Sequence, residues 1–149
     1  MKKLFIFLSW ILLTSCGQAQ SIDAPDLPTG YLYKIEPGLP GKQIYVCGEH
    51  PFTKKGELVA AGDLQGQTRQ VFENIKTALA TVNMTLNDIT QITYSIKGTS
   101  TKVRADTAQL LNSVGAVYLT QSPKIVEVKS APQIVRDDVL VEVEVIAMK

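Results

Sequence analysis

The chain has a single histidine, His50, among its 149 residues. That scarcity excludes a histidine-rich metal centre, and no Cys/His cluster stands at zinc-ligand spacing. It also leaves no Ser/His/Asp set with evident partners. A lone histidine beside Pro51 reads as a loop residue satisfied by a backbone group. Cysteine is nearly as rare, with Cys16 and Cys47 alone, so a disulfide framework is not expected. Charge of either sign is not in excess: 15 basic residues face 14 acidic ones. This balance provides no basic field for nucleic acid, which is not expected as a partner. No phosphate loop or dinucleotide fingerprint is present, and no metal or organic cofactor is implied. No apolar run reaches the ~20 residues that a membrane-spanning helix requires.

What is present begins with a leader. Lys2 and Lys3 precede a nearly unbroken apolar run over residues 4–13, the layout of a secretory signal. Leu13-Thr14-Ser15-Cys16 resembles a bacterial lipobox, so residues 1–15 are expected to be removed and Cys16 to carry lipid. More than one acyl chain gives the stable anchoring that one chain does not. Gly17 follows the cysteine where an inner-membrane sorting signal would have Asp. The expected location is the bacterial cell envelope, lipid-anchored; the alternatives are cleavage near Ala19, leaving a soluble periplasmic protein, and an uncleaved short anchor. Without Lys2 and Lys3 the basic count falls from 15 to 13 against 14 acidic residues. Residues 16–29 read as the lipidated cysteine and a tether, and residues 30–149 as one domain. Cys47 lies in a strand-like run and reads as a buried thiol.

The hydropathy pattern predicts strands over residues 31–35 and 43–47, then a loop through Gly48 and Pro51 to Gly66. Gly48 there reads as a tight turn that needs positive φ. Val71, Ile75, Ala78, Leu79 and Val82 recur at helical spacing and predict a helix over residues 67–82. A strand over 89–96 follows, then a helix marked by Val103, Leu110, Leu111, Val114 and Val117, and a strand over 124–129. Residues 139–147 alternate strictly: Val139, Val141, Val143 and Val145 share one face, and Leu140, Glu142, Glu144 and Ile146 the other. The order β-β-α-β-α-β-β predicts an α/β domain (α+β in its layering), with both helices on one side of a mixed sheet. Nothing else in the chain can cover the opposite sheet face, so a second copy is expected there.

The run Gly62-Asp63-Leu64-Gln65-Gly66-Gln67-Thr68-Arg69-Gln70-Val71-Phe72-Glu73-Asn74-Ile75-Lys76 resembles the signature of the RidA (YjgF) family of reactive-intermediate deaminases. Glu57-Leu58-Val59, Leu86-Asn87-Asp88-Ile89 and Val141-Glu142-Val143-Glu144-Val145-Ile146-Ala147 fit the same family. The resemblance implies a chorismate-mutase-like fold, a homotrimer, and small-molecule clefts between subunits. It also implies hydrolysis of 2-imino acids to a keto acid and ammonia, with an arginine gripping the substrate carboxylate and a glutamate positioning water.

Carried over residue by residue, Glu142 matches the water-positioning glutamate and Gly48 the backbone glycine that holds ligand. Asp106 falls where the family has asparagine; on its own terms it is a carboxylate in a first helical turn, favoured by the dipole. Tyr33, or else Tyr31, corresponds to the first-strand tyrosine. The departure is at the arginine. Aligning Val126-Glu127-Val128 with the family's Val-Glu-Val puts Pro123 there, and proline supplies neither charge nor donor. Lys124, next door, would point to the opposite face and is not a fork. Arg104 is the first candidate to compensate and Arg136 the weaker one. The expectation is a divergent binding member of the family, with enamine or imine deamination as the alternative.

Overall fold

The computed structural model describes residues 30–36, 38–100 and 103–149. The expected leader, tether and lipidated Cys16 lie outside the described residues. The elements are β1 (Gly30–Ile35), β2 (Ile44–Glu49), α1 (Leu64–Ala80), β3 (Ile89–Lys97), α2 (Ala105–Tyr118), β4 (Ile125–Ala131) and β5 (Val141–Met148), with a short 3-10 turn at Leu86–Asp88 ahead of β3. The strands form one sheet in the order β1-β2-β5-β3-β4. Neighbours are antiparallel except β3 and β4, which run parallel and are joined by α2, as a parallel pair needs a crossover.

The expected α/β layering is what the chain adopts. Cys47, Ile92, Tyr94, Ile96, Val141, Val143, Val145 and Ala147 project from one sheet face into a core with Val71, Phe72, Ile75 and Leu79 of α1 and Leu111 and Val114 of α2. Val141, Val143 and Val145 are fully buried, and burying such a side chain is worth about 1.5–3 kcal/mol. Phe72 stacks on Tyr118 at 4.9 Å between ring centres, tying the two helices together.

Helix α1 begins at Leu64, three residues before its apolar period becomes visible. Asp63 is the cause: its side chain accepts a hydrogen bond from the Gln65 N–H at 2.9 Å, satisfying an orphan donor of the first turn. Helix α2 starts after Arg104, and Val117 is 77% exposed, so neither Val103 nor Val117 marks its buried face. Strand β2 runs through Gly48 to Glu49, and the φ of Gly48 is not in the left-handed region. The expected tight turn at Gly48 is therefore replaced by strand.

Gln67, fully buried, clasps the segment before β5. Its Nε2 donates to the Asp138 carbonyl at 3.1 Å, and its Oε1 accepts from the Leu140 N–H at 2.8 Å. The helix signature is thus bound to the strand that carries Glu142. The opposite face of the sheet, which bears Tyr31, Tyr33 and Ile35 of β1 and Ile125 of β4, is left open, and those four side chains are 37%, 52%, 37% and 53% exposed.

Candidate functional site

The open face is organised in rows across the strands. One row pairs Tyr31 with Gly48, Gly48 with Glu144, Glu144 with Thr93, and Thr93 with Glu127. The row beyond it pairs Glu142 with Ser95 and Ser95 with Lys129. His50 follows β2 directly and reaches across to the same end of β5.

Tyr31 lies flat over Gly48. A Cβ at that position would fall 2.2 Å from the Tyr31 Cζ and 2.5 Å from its hydroxyl oxygen. Glycine is required here by the ring above it, not by backbone angle. In that pose the Tyr31 hydroxyl donates to Glu144 Oε2 at 2.5 Å. Burial, followed by this hydrogen bond, pushes the phenol well above its ordinary range. Tyr33 sits one row away, opposite Val46, and stacks on Tyr31 with ring centres 6.0 Å apart.

His50 Nε2 stands 3.7 Å from Glu142 Oε2, with the two side chains 15% and 26% exposed. That distance is longer than an ordinary hydrogen bond, and the contact is an ion pair only when the imidazole is protonated. The facing His50 side chain holds Glu142 below the usual carboxylate range; burial opposes it, and Lys129 adds to the lowering. The backbone of the His50 loop is fixed from α1. Asn74 Nδ2 donates to the carbonyls of His50 at 2.8 Å and Phe52 at 2.9 Å, and Gln70 Nε2 donates to Asn74 Oδ1 at 2.9 Å.

The other residues anticipated from sequence lie elsewhere in the protomer. Arg104 and Asp106 meet each other at the start of α2, Arg104 Nη2 donating to Asp106 Oδ2 at 2.8 Å on an exposed surface. That guanidinium, then the Thr107 N–H, holds the Asp106 carboxyl down. Arg136 is engaged by Asp138, its Nε donating to Oδ1 at 2.8 Å, and its guanidinium carbon lies 5.1 Å from the centre of the Phe52 ring. Pro123 lines a cavity of about 550 Å³ under α2, with Ile92, Leu119 and Val126, on the helix side of the sheet. Cys47 also faces the helices, fully buried; burial, with Glu49 next, pushes its thiol up to about 12.

Among the described residues, no three His, Cys, Asp or Glu side chains gather as a metal site, and no helix is long and apolar enough to cross a membrane. Of this arrangement, His50 and Glu144 are not among the site residues expected from sequence, and Tyr31 is only the alternative to Tyr33. His50 was assigned to a loop, because nothing local reveals a contact with β5. Tyr31 ranked behind Tyr33, because the length of the loop from β1 to β2 hides which tyrosine stands opposite Gly48. Glu144 did carry a signal, since strict alternation puts it beside Glu142.

Residues 22–149 match the family model described as Endoribonuclease L-PSP. The chain belongs to the RidA/YjgF family. This RidA-family chain is 36% identical over 112 residues to a RutC family protein of Pyrococcus horikoshii, covering 73% of this chain and 81% of that one. A crystal structure of a Thermotoga maritima protein described as a putative endoribonuclease is similar at TM-score 0.60 and 28% identity, covering 71% of this chain and 79% of that one. RidA from an Antarctic Psychrobacter, at TM-score 0.62 and 21% identity over 86% of this chain and 98% of its own, shares the fold.

Proposed function

We propose that this RidA-family protein binds a small molecule at the open sheet face, in a cleft completed by neighbouring copies in a homotrimer, and that its ligand lacks the carboxylate of a 2-imino acid. One observation carries this: both arginines able to replace the missing one are already engaged, Arg104 by Asp106 and Arg136 by Asp138. Pro123 stands at the family's arginine position, while Glu142 and Glu144 lie side by side on the open face. Within the protomer a carboxylate ligand would meet two carboxylates and no guanidinium fork. Losing such a charged partner costs about 4 kcal/mol, roughly a thousandfold in transition-state binding. A neutral or cationic amine or imine suits the same groups.

The experiment is a coupled deaminase assay on the full-length chain in detergent. An amino-acid oxidase generates 2-iminopropanoate in situ, and its loss is followed against trapping by semicarbazide. The wild type is expected to be silent. Turnover by the wild type that Glu142→Gln abolishes would overturn the proposal.

The ionised state of Glu142 favours a second function, hydrolysis of an imine or enamine without a carboxylate. Water would attack the C=N carbon while Glu142 takes its proton; the nitrogen is protonated, the C–N bond breaks, and a carbonyl compound and ammonia leave. RNA cleavage, named in the family model's description, gains nothing from a charge balance of 15 basic to 14 acidic residues.

The Leu13–Cys16 motif supports anchoring of the trimer to the bacterial envelope through lipid on Cys16. Radiolabelled palmitate should enter the wild type and not Cys16→Ser; equal labelling of both would rule out this anchor.

A further inference from the structure

We infer that His50 is the positioning residue of Glu142: held from α1 through Asn74, it fixes the direction and charge of the carboxylate that the cleft presents. This deepens the cleft assignment above and rests on it. The geometry is specific. Glu142 projects from a central strand onto a face that is otherwise open, where a free carboxylate would sample several rotamers. His50 Nε2 meets it at 3.7 Å, and the imidazole is itself only 15% exposed. Its main chain cannot drift, because Asn74 accepts from Gln70 while donating to the carbonyls on both sides of Pro51. The Phe52 ring, 6.2 Å away from the imidazole, closes one flank.

The surrounding charges do not duplicate this role. On β5, Glu144 is engaged by Tyr31 of β1. Lys129 of β4 acts on Glu142 from beyond Ser95. Glu49 of β2 is buried. Ahead of β5, Arg136 is taken by Asp138 above Phe52, and Lys97 of β3 by Asp137. An imidazolium at position 50 cancels the Glu142 charge, whereas a neutral imidazole leaves it available to a cationic ligand or to a proton from water. The proton on His50 therefore decides which form of the site a ligand meets.

Because the chain has one histidine, the imidazole carbon-bound protons give one assignable set of NMR signals in the untagged full-length protein. Their titration midpoint is expected to fall by about one pH unit in Glu142→Gln, the loss of a facing charge at short range in a partly wet site. It should fall by much less in Glu144→Gln. Conversely, the carboxyl carbon of Glu142, assigned through its correlations to its own side chain and backbone, should titrate at higher pH in His50→Gln. This second measurement stands even if Glu142→Gln does not fold. Midpoints that coincide in wild type and Glu142→Gln, or a Glu142 carboxyl indifferent to His50→Gln, would overturn the pairing whatever the cleft binds. Wild-type turnover of 2-iminopropanoate would overturn the ligand assignment and leave the pairing intact.

Discussion

Replacing Gly48 by alanine tests the Tyr31–Gly48–Glu144 row directly. The new Cβ would lie 2.2 Å from the Tyr31 Cζ, too close for any real contact, so one partner must move. The backbone of Gly48 is paired to β1 on one side and β5 on the other, whereas Tyr31 sits at the sheet surface, so the ring is the part that yields. Displacement breaks its hydrogen bond to Glu144. A hydrogen bond to a charged group is worth about 1.5–3 kcal/mol, and the 37% exposure of Tyr31 puts it at the lower end or below. Against this, Gly→Ala at an ordinary strand φ gains about 0.5–1 kcal/mol from the unfolded chain. The net expectation is destabilisation of about 1 kcal/mol. In a Tyr31→Ala background the clash is gone, and Gly48→Ala should become neutral or stabilising. Urea denaturation of the four proteins at one fixed concentration yields the coupling, expected at about 1.5 kcal/mol. Equal effects of Gly48→Ala in both backgrounds would refute the account of why glycine stands here.

Two further outcomes follow from the same geometry. Gln67→Ala removes both hydrogen bonds that clasp the segment before β5 and leaves the Leu140 N–H and Asp138 carbonyl without this partner, so the urea midpoint should drop by the equivalent of about 2–4 kcal/mol; a change below 0.5 kcal/mol (roughly the effect of an ordinary surface substitution) would deny Gln67 that role. Glu142 is held below its ordinary value of 4.5 in the folded state, so its contribution is complete above that value and is lost as pH falls through the lower folded one. Wild-type stability should therefore fall more steeply than that of Glu142→Gln on acidification below about pH 4.5, and parallel stability profiles would contradict the lowering.

The sheet and helices were legible because their patterns are local. Val141, Val143 and Val145 alternate with Glu142, Glu144 and Ile146, and Val71, Ile75 and Leu79 repeat at helical spacing; each pattern names its own buried side. Gly48 was legible as important and illegible in its reason, since a turn glycine and a glycine roofed by an aromatic ring look alike in one chain. The His50–Glu142 contact was invisible because it depends on the register of β2 against β5, which no short segment encodes. Arg104 and Arg136 illustrate the reverse problem. Each was a fair candidate by type and neighbourhood, yet each has an aspartate two residues further on, Asp106 and Asp138, and the nearer charge takes it.

The strand order has a consequence for how the chain reaches this state. β5 comes after all the other strands in sequence but lies between β2 and β3 in space. Until residues 141–148 exist, the β1–β2 hairpin and the β3–α2–β4 unit share no edge, and each exposes an apolar margin awaiting a partner. Closure is then a single late insertion that unites distant parts of the chain, the kind of topology whose long loops slow folding. A nascent chain paused before β5 is two unfinished half-sheets, each with an open edge that a chaperone could cover.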